Sequence, residues 1–153
     1  MAPRPSRIAA GILALLAVVT LARCAHHRPC PEITDTLKAV TINQNSQASP
    51  ADTYLSFSTA DSVAWVPYAP THSLTITFSR LKFPAAANGE PPFTGGTNGQ
   101  DQVLQSGSGT LYSPTLNVKL KALFDKDPNL QLIYPYDQQI GNVAQDGRII
   151  IMK

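Results

Sequence analysis

The sequence predicts an all-β protein, a single Greek-key β-sandwich preceded by an N-terminal signal or anchor helix. Three observations point there. Short segments alternate apolar and polar residues at period two, the mark of a strand with one buried face. Thirteen prolines and nine glycines in 153 residues suit a chain that reverses direction often. Charged residues make up only 14% of the chain, and beyond the leader a helical period shows only weakly, around residues 120–124.

Residues 1–23 read as the leader. Arg4 and Arg7 precede a fifteen-residue apolar run over residues 8–22, and Cys24 follows. A basic start, an apolar stretch and a processing-compatible end form an export signal. At 1.5 Å per residue the run spans about 22 Å, short of the roughly 30 Å of a bilayer's hydrocarbon core. Three outcomes stay open. Leu21-Ala22-Arg23-Cys24 resembles a bacterial lipobox, which would make Cys24 the lipidated first residue, although Arg23 stands where that motif has a small residue. Ordinary cleavage after Ala22 or after Cys24 is compatible with the flanking residues, and an uncleaved anchor is the third outcome. Each places the residues that follow outside the cytoplasm, in the cell envelope, in the periplasm or secreted.

Charge and size bound what the exported part does. Removing Arg4, Arg7 and Arg23 with the leader leaves nine Lys and Arg against ten Asp and Glu. That balance of −1 excludes a basic nucleic-acid footprint. The remaining 130 residues are the size of one domain and can bury a core.

Residues 24–36 read as a tether, since they carry Pro29 and Pro31 and no apolar period. Cys24, His26, His27 and Cys30 form the chain's densest cluster of soft ligands. Thiolates and imidazoles within seven residues suit Cu or Zn, provided both thiols are reduced and unlipidated. In an oxidising compartment the two cysteines pair instead, and a lipid on Cys24 leaves Cys30 a lone thiol.

The sandwich itself is expected over residues 37–153. Val40 and Ile42 alternate in residues 38–42, Leu55 and Phe57 in residues 54–58, and Val63 and Trp65 in residues 62–66. The clearest strand is residues 73–79, where Leu74, Ile76 and Phe78 point one way and hydroxylated residues the other. Residues 84–109, rich in Pro, Gly, Asn and Gln, read as one long loop pinned by Phe93. Leu116, Val118 and Leu120 predict a strand with Asn117, Lys119 and Lys121 facing outward, the helical period over residues 120–124 being the alternative. Leu130, Leu132, Tyr134 and Tyr136 predict another strand, and residues 148–152 the last. Seven short strands with turn signals between them make a sandwich.

The order of these strands resembles the cupredoxins, small Greek-key sandwiches that hold blue copper. Ser62-Val63-Ala64-Trp65 resembles the family strand D-x-V-x-W. Residues 71–78 resemble the strand that opens with the first copper histidine, here His72, and residues 146–151 resemble the closing strand. The likeness runs over roughly residues 40–152. The resemblance implies a ligand set of two imidazoles and a thiolate with a weak axial thioether. Of that set only His72 is present. Where the family has Tyr-x-Cys this chain has Tyr134-Pro135-Tyr136-Asp137, with no Cys, His or Met between there and Gly147, and Met152 falls inside the last strand. A cupredoxin-like fold without blue copper is therefore expected, with no cofactor.

Other chemistry finds little support. Ser106-Gly107-Ser108-Gly109 is not the G-x-S-x-G of a nucleophile elbow, and phosphate-binding glycine motifs are absent. Asp125, Asp127, Asp137 and Asp146 are conceivable as an acid/base pair or a Ca²⁺ site, but residues 125–128 read as a turn. Trp65, Tyr134 and Tyr136 fall in step with core positions. The expectation is a noncatalytic protein of the envelope or exterior, attached to the membrane through the leader or a lipid on Cys24. Its partner would be an unknown protein or envelope component, met by the long loop.

Overall fold

The computed structural model describes residues 37–45 and 47–153, so the expected leader, its helix and the tether lie outside the described residues. The described chain forms two sheets. In the four-stranded sheet β2 (Ala48–Ser49), β1 (Leu37–Ile42), β4 (Ser62–Pro67) and β7 (Leu111–Tyr112) lie in that order. The five-stranded sheet runs β3 (Asp52–Ser56), β9 (Val143–Met152), β8 (Leu132–Ile140), β5 (Leu74–Phe78), β6 (Gln102–Ser106). Two pairs are parallel, β1 with β4 (Val40 opposite Trp65) and β3 with β9 (Leu55 opposite Ile151). The other pairs are antiparallel. Between β2 and β3 the chain passes from one sheet to the other at Pro50 and Ala51, which is how one hairpin arm serves both layers.

Alternation explains the core. Val40 and Ile42, Val63 and Trp65, Leu74, Ile76 and Phe78, Leu132, Tyr134 and Tyr136, and Ile149 and Ile151 are all buried in one cluster drawn from both sheets. At its centre Trp65 meets Tyr136 at 5.7 Å, Phe93 at 6.3 Å and Phe78 at 6.4 Å between ring centroids, each edge to face. That geometry sets the positive ring edge against a negative face, and each such pair adds about 1 kcal/mol beyond area burial.

Five expectations are corrected. The predicted loop over residues 84–109 contains β6, concealed because an inward position is Gln102 rather than an apolar residue. Leu116 makes only an isolated bridge to Phe93; residues 118–120 are a 3-10 turn and Lys121–Lys126 is the helix α1. The Asn117 side chain accepts from Lys119 N–H and starts that turn, so Asn117 is buried and Val118 exposed, the reverse of the strand pattern. Leu120 and Phe124, one helical turn apart, are the buried pair. Asp125 and Lys126 accordingly sit in the last turn of α1 rather than in a loop. β9 begins at Val143, not Arg148, because exposed residues 143–146 pair with β8 without apolar–polar alternation. The strand expected over residues 54–58 runs Asp52–Ser56; there Asp61 N–H donates to Ser56 C=O and Asp61 Oδ2 accepts from Ser56 N–H, which ends it.

Candidate functional site

Residues 84–101 are a built platform. Phe93 is fully buried and its backbone is bracketed by the Gln102 side chain, whose Oε1 accepts from Phe93 N–H at 3.2 Å. Gln102 Nε2 donates to Phe93 C=O at 3.0 Å and Thr94 C=O at 3.2 Å. Asn117 Nδ2 donates to Pro91 C=O at 3.0 Å and to Glu90 Oε2 at 3.2 Å, and Tyr134 Oη donates to Glu90 C=O at 2.9 Å. Burial works against the charge on Glu90, yet hydrogen bonds from Asn98, Asn117 and Lys119 outweigh it and hold the carboxyl below its usual range. Burial, reinforced by Glu90, pushes the Tyr134 phenol up. Gly96 must be glycine, since a Cβ would stand 2.6 Å from Pro91 Cγ and 2.9 Å from Gln102 Nε2. Beside this platform lies a cavity of about 380 Å³ bordered by Thr94, Thr97, Leu104 and Pro114.

The Gln102 amide holds the centre of the platform. Gln102→Ala is expected to cost about 2 kcal/mol, because it removes three hydrogen bonds and strands the buried polar groups of Phe93. Urea unfolding checks this; a midpoint equal to the parent's would mean that the loop holds itself.

At the opposite end, His72 precedes β5 and is half-buried. Its ring lies on Tyr68 at 4.7 Å, with Nε2 3.3 Å from the Tyr68 hydroxyl, and its Nδ1 has no partner among the described residues. Leu74 is opposite Ile140, so His72 sits where β8 turns into β9 through Gly141 and Asn142 alone. The stretch up to Gly147 is thus not a loop but a paired hairpin. Met152 ends β9 at the far end of that sheet, away from His72. Among the described residues, no three His, Cys, Asp or Glu side chains are grouped to hold a metal. Cys24, His26, His27 and Cys30, the sequence's metal candidates and the lipidation candidate, lie outside the described residues.

Two of the four acids considered from sequence are brought together. Asp137 and Asp146 stand opposite one another on β8 and β9, and Lys82 Nζ donates to Asp137 Oδ1 at 2.9 Å. Arg148 forms a two-bond pair with Asp52 at 2.7 and 2.9 Å, and a cleft of about 290 Å³ lies between the two ion pairs over Pro135 and Gly147. Asp125 instead pairs with Lys121 at 2.6 Å, and Asp127 accepts from Asn129 N–H at 3.0 Å as the residue that closes α1.

The hydrogen bond from Lys82 lowers the Asp137 pKa, whereas the hydrogen bond with Asp137 raises that of Asp146. Asp137 therefore contributes stability above the ordinary carboxylate range and loses it as pH falls. For Asp146 the sign is opposite: its contribution is present when protonated and is lost as pH rises from 3.8 through its raised folded value. Asp146→Asn keeps a neutral group there at every pH. The parent is expected to lose melting temperature relative to this variant as pH rises through that window, and a difference that does not change with pH would show that Asp137 does not hold Asp146 protonated.

No protein-family model matches the chain, and no curated protein matches it. The side chains that shape the platform, Gln102 and Asn117, carried no signal in the sequence, being polar residues at buried positions.

Proposed function

We propose that this chain is a noncatalytic binding module of the cell envelope or exterior, a Greek-key sandwich of the cupredoxin type without a blue-copper centre. The two parallel strand pairs, the passage of one arm between sheets and the central Trp65 support the cupredoxin likeness. The tight β8–β9 hairpin beside His72 supports the lack of a copper loop. The leader delivers the module, and membrane attachment runs through that leader or through a lipid on Cys24. Metal handling by Cys24, His26, His27 and Cys30 stays a separate reading that rests on the composition of the tether.

The observation that carries the binding reading is the platform of residues 84–101. Its backbone is fixed by the buried Gln102 and Asn117 amides, while Gly95, Thr97 and Asn98 face solvent beside the 380 Å³ cavity. A rigid scaffold that presents exposed loop residues is how sandwiches commonly recognise partners. Two variants test it in pull-downs from envelope extract, Thr97→Arg, which puts a long side chain at the cavity rim, and a deletion of residues 95–99. Both are expected to keep the parent's far-UV circular dichroism and to lose a protein that the parent captures. Equal capture by parent and both variants overturns the assignment.

A further inference from the structure

Two Asn-Gly pairs stand in the platform, Asn88-Gly89 and Asn98-Gly99, and they are bonded to each other. Gly99 N–H donates to Gly89 C=O at 2.9 Å, and Asn98 Nδ2 donates to Asn88 C=O at 3.0 Å. Asparagine before glycine is the sequence in which a main-chain nitrogen most readily attacks the preceding carboxamide, because glycine puts no Cβ in the path. The two pairs share that local chemistry, and their surroundings separate them.

At Asn98 both reacting groups are tied. The nucleophile would be the Gly99 nitrogen, whose N–H is bonded to Gly89, and the carboxamide is fixed by its bonds to Asn88 C=O and Glu90. At Asn88 neither is tied. Among the described residues, the Asn88 side chain has no hydrogen-bond partner and Gly89 N–H has no acceptor. Asn88 is exposed and closes the 3-10 turn Ala85–Ala87 in the left-handed region, at φ 49° and ψ 39°. At that ψ the Gly89 nitrogen lies nearly opposite Cβ across the Cα–C bond, out of reach of Cγ. Flipping the Asn88–Gly89 peptide plane by half a turn brings it to the side of Cβ. Such a flip counter-rotates ψ of Asn88 and φ of Gly89 and leaves the chain path in place. Gly89, now at φ 79°, accepts it because either sign of φ is open to glycine. Among the described residues, the hydrogen bond from Asn98 Nδ2 is the only one that holds this plane.

We propose that Asn88 is a site of spontaneous covalent modification, converting to aspartate and isoaspartate, and that Asn98 is the latch that restrains it. The inference goes beyond the binding reading and does not depend on it. The Gly89 nitrogen attacks Asn88 Cγ; the N–Cγ bond forms, the Cγ–Nδ2 bond breaks, and ammonia leaves carrying the Gly89 amide proton. Water then opens the succinimide ring. Breaking the new N–Cγ bond gives aspartate, whereas breaking the bond between Gly89 N and the Asn88 main-chain carbonyl gives isoaspartate, whose main chain runs through Cβ and Cγ. Either product places a new carboxylate close to that of Glu90, and like charges repel. Isoaspartate also lengthens the main chain just before Glu90, whose C=O accepts from Tyr134 Oη. The platform therefore loosens at one position as the chain ages.

The full chain is incubated in mildly alkaline buffer, folded and again in guanidinium chloride, and peptide maps with electron-transfer fragmentation follow both asparagines. Each folded rate is divided by the same residue's unfolded rate, which removes any effect of local sequence. Folded Asn98 is expected to be slowed about tenfold or more relative to Asn88, since more than one hydrogen bond must break before it reacts. Asn98→Ala removes the latch and is expected to speed conversion at Asn88 about two- to tenfold. Equal slowing of the two residues in the folded parent, greater slowing of Asn88, or no conversion of folded Asn88 overturns the proposal. So does a folded Asn98→Ala chain that converts Asn88 at the parent's rate. The parent's two rates decide the matter even where that variant does not fold.

Discussion

Gly147→Ala is expected to destabilise the sandwich by about 3 kcal/mol, at the upper end of what one added methyl group costs in a packed core. A Cβ at this position would stand 2.4 Å from Tyr136 Cζ, 2.5 Å from its Oη and 2.7 Å from its Cε2. Tyr136 is fully buried and opposite Gly147 in the β8–β9 pairing, so its ring lies across the glycine. It has no direction in which to yield, because Trp65 holds it at 5.7 Å and Phe78 at 5.4 Å. Nor can β9 move away, since it is paired with β8 on one side and β3 on the other. The requirement is for space and not for a left-handed backbone. Urea unfolding followed by circular dichroism should show a lowered midpoint with an unchanged slope, the sign of lost stability with the same surface exposed on unfolding. A midpoint within error of the parent's would show that ring and strand separate at little cost.

That contact shows why some of this fold was readable in the sequence and some was not. Leu74, Ile76 and Phe78 alternate without exception and became β5, and Leu132, Tyr134 and Tyr136 became the core face of β8. Period two reports a strand when apolar side chains fill the buried face. It failed at β6, where Gln102 occupies that face through three hydrogen bonds to a loop. It misled at Leu116, Val118 and Leu120, because three apolar residues at spacing two are too few to separate a strand from a turn entering a helix. Phe124, at i+4 from Leu120, breaks the tie and was visible as the alternative.

The candidate site was less legible still. Gly141-Asn142 is a hairpin signal, and it alone would have set Asp137 against Asp146, nine positions apart in the chain and opposite in the sheet. The long Pro- and Gly-rich stretch was recognisable as a surface segment. Its rigidity was not, because that comes from Gln102, Asn117 and Tyr134 reaching it from distant parts of the chain. Composition registers none of these long-range side-chain to backbone bonds.

Trp65→Ala is expected to have the largest effect of any single substitution, about 4–5 kcal/mol. Trp65 is the largest of the fully buried side chains and stands on β4, which is flanked by β1 and β7. It faces Phe78 and Tyr136 from the other sheet and Phe93 from the platform, so its removal opens a cavity where the three parts of the molecule meet. Those neighbours lie on paired strands and on a loop tied by Gln102, which keeps the surroundings from collapsing into the space. Against a total stability of roughly 5–15 kcal/mol for a domain, such a loss removes from about a third to nearly all of it. Trp65→Phe keeps one ring in place and should cost about half as much. Far-UV circular dichroism in urea orders the parent and both variants, since the alanine and phenylalanine chains contain no tryptophan to report by fluorescence. An alanine variant with the parent's midpoint would mean that the two sheets are held together without this residue, and the central ring cluster would lose its place as the seat of stability.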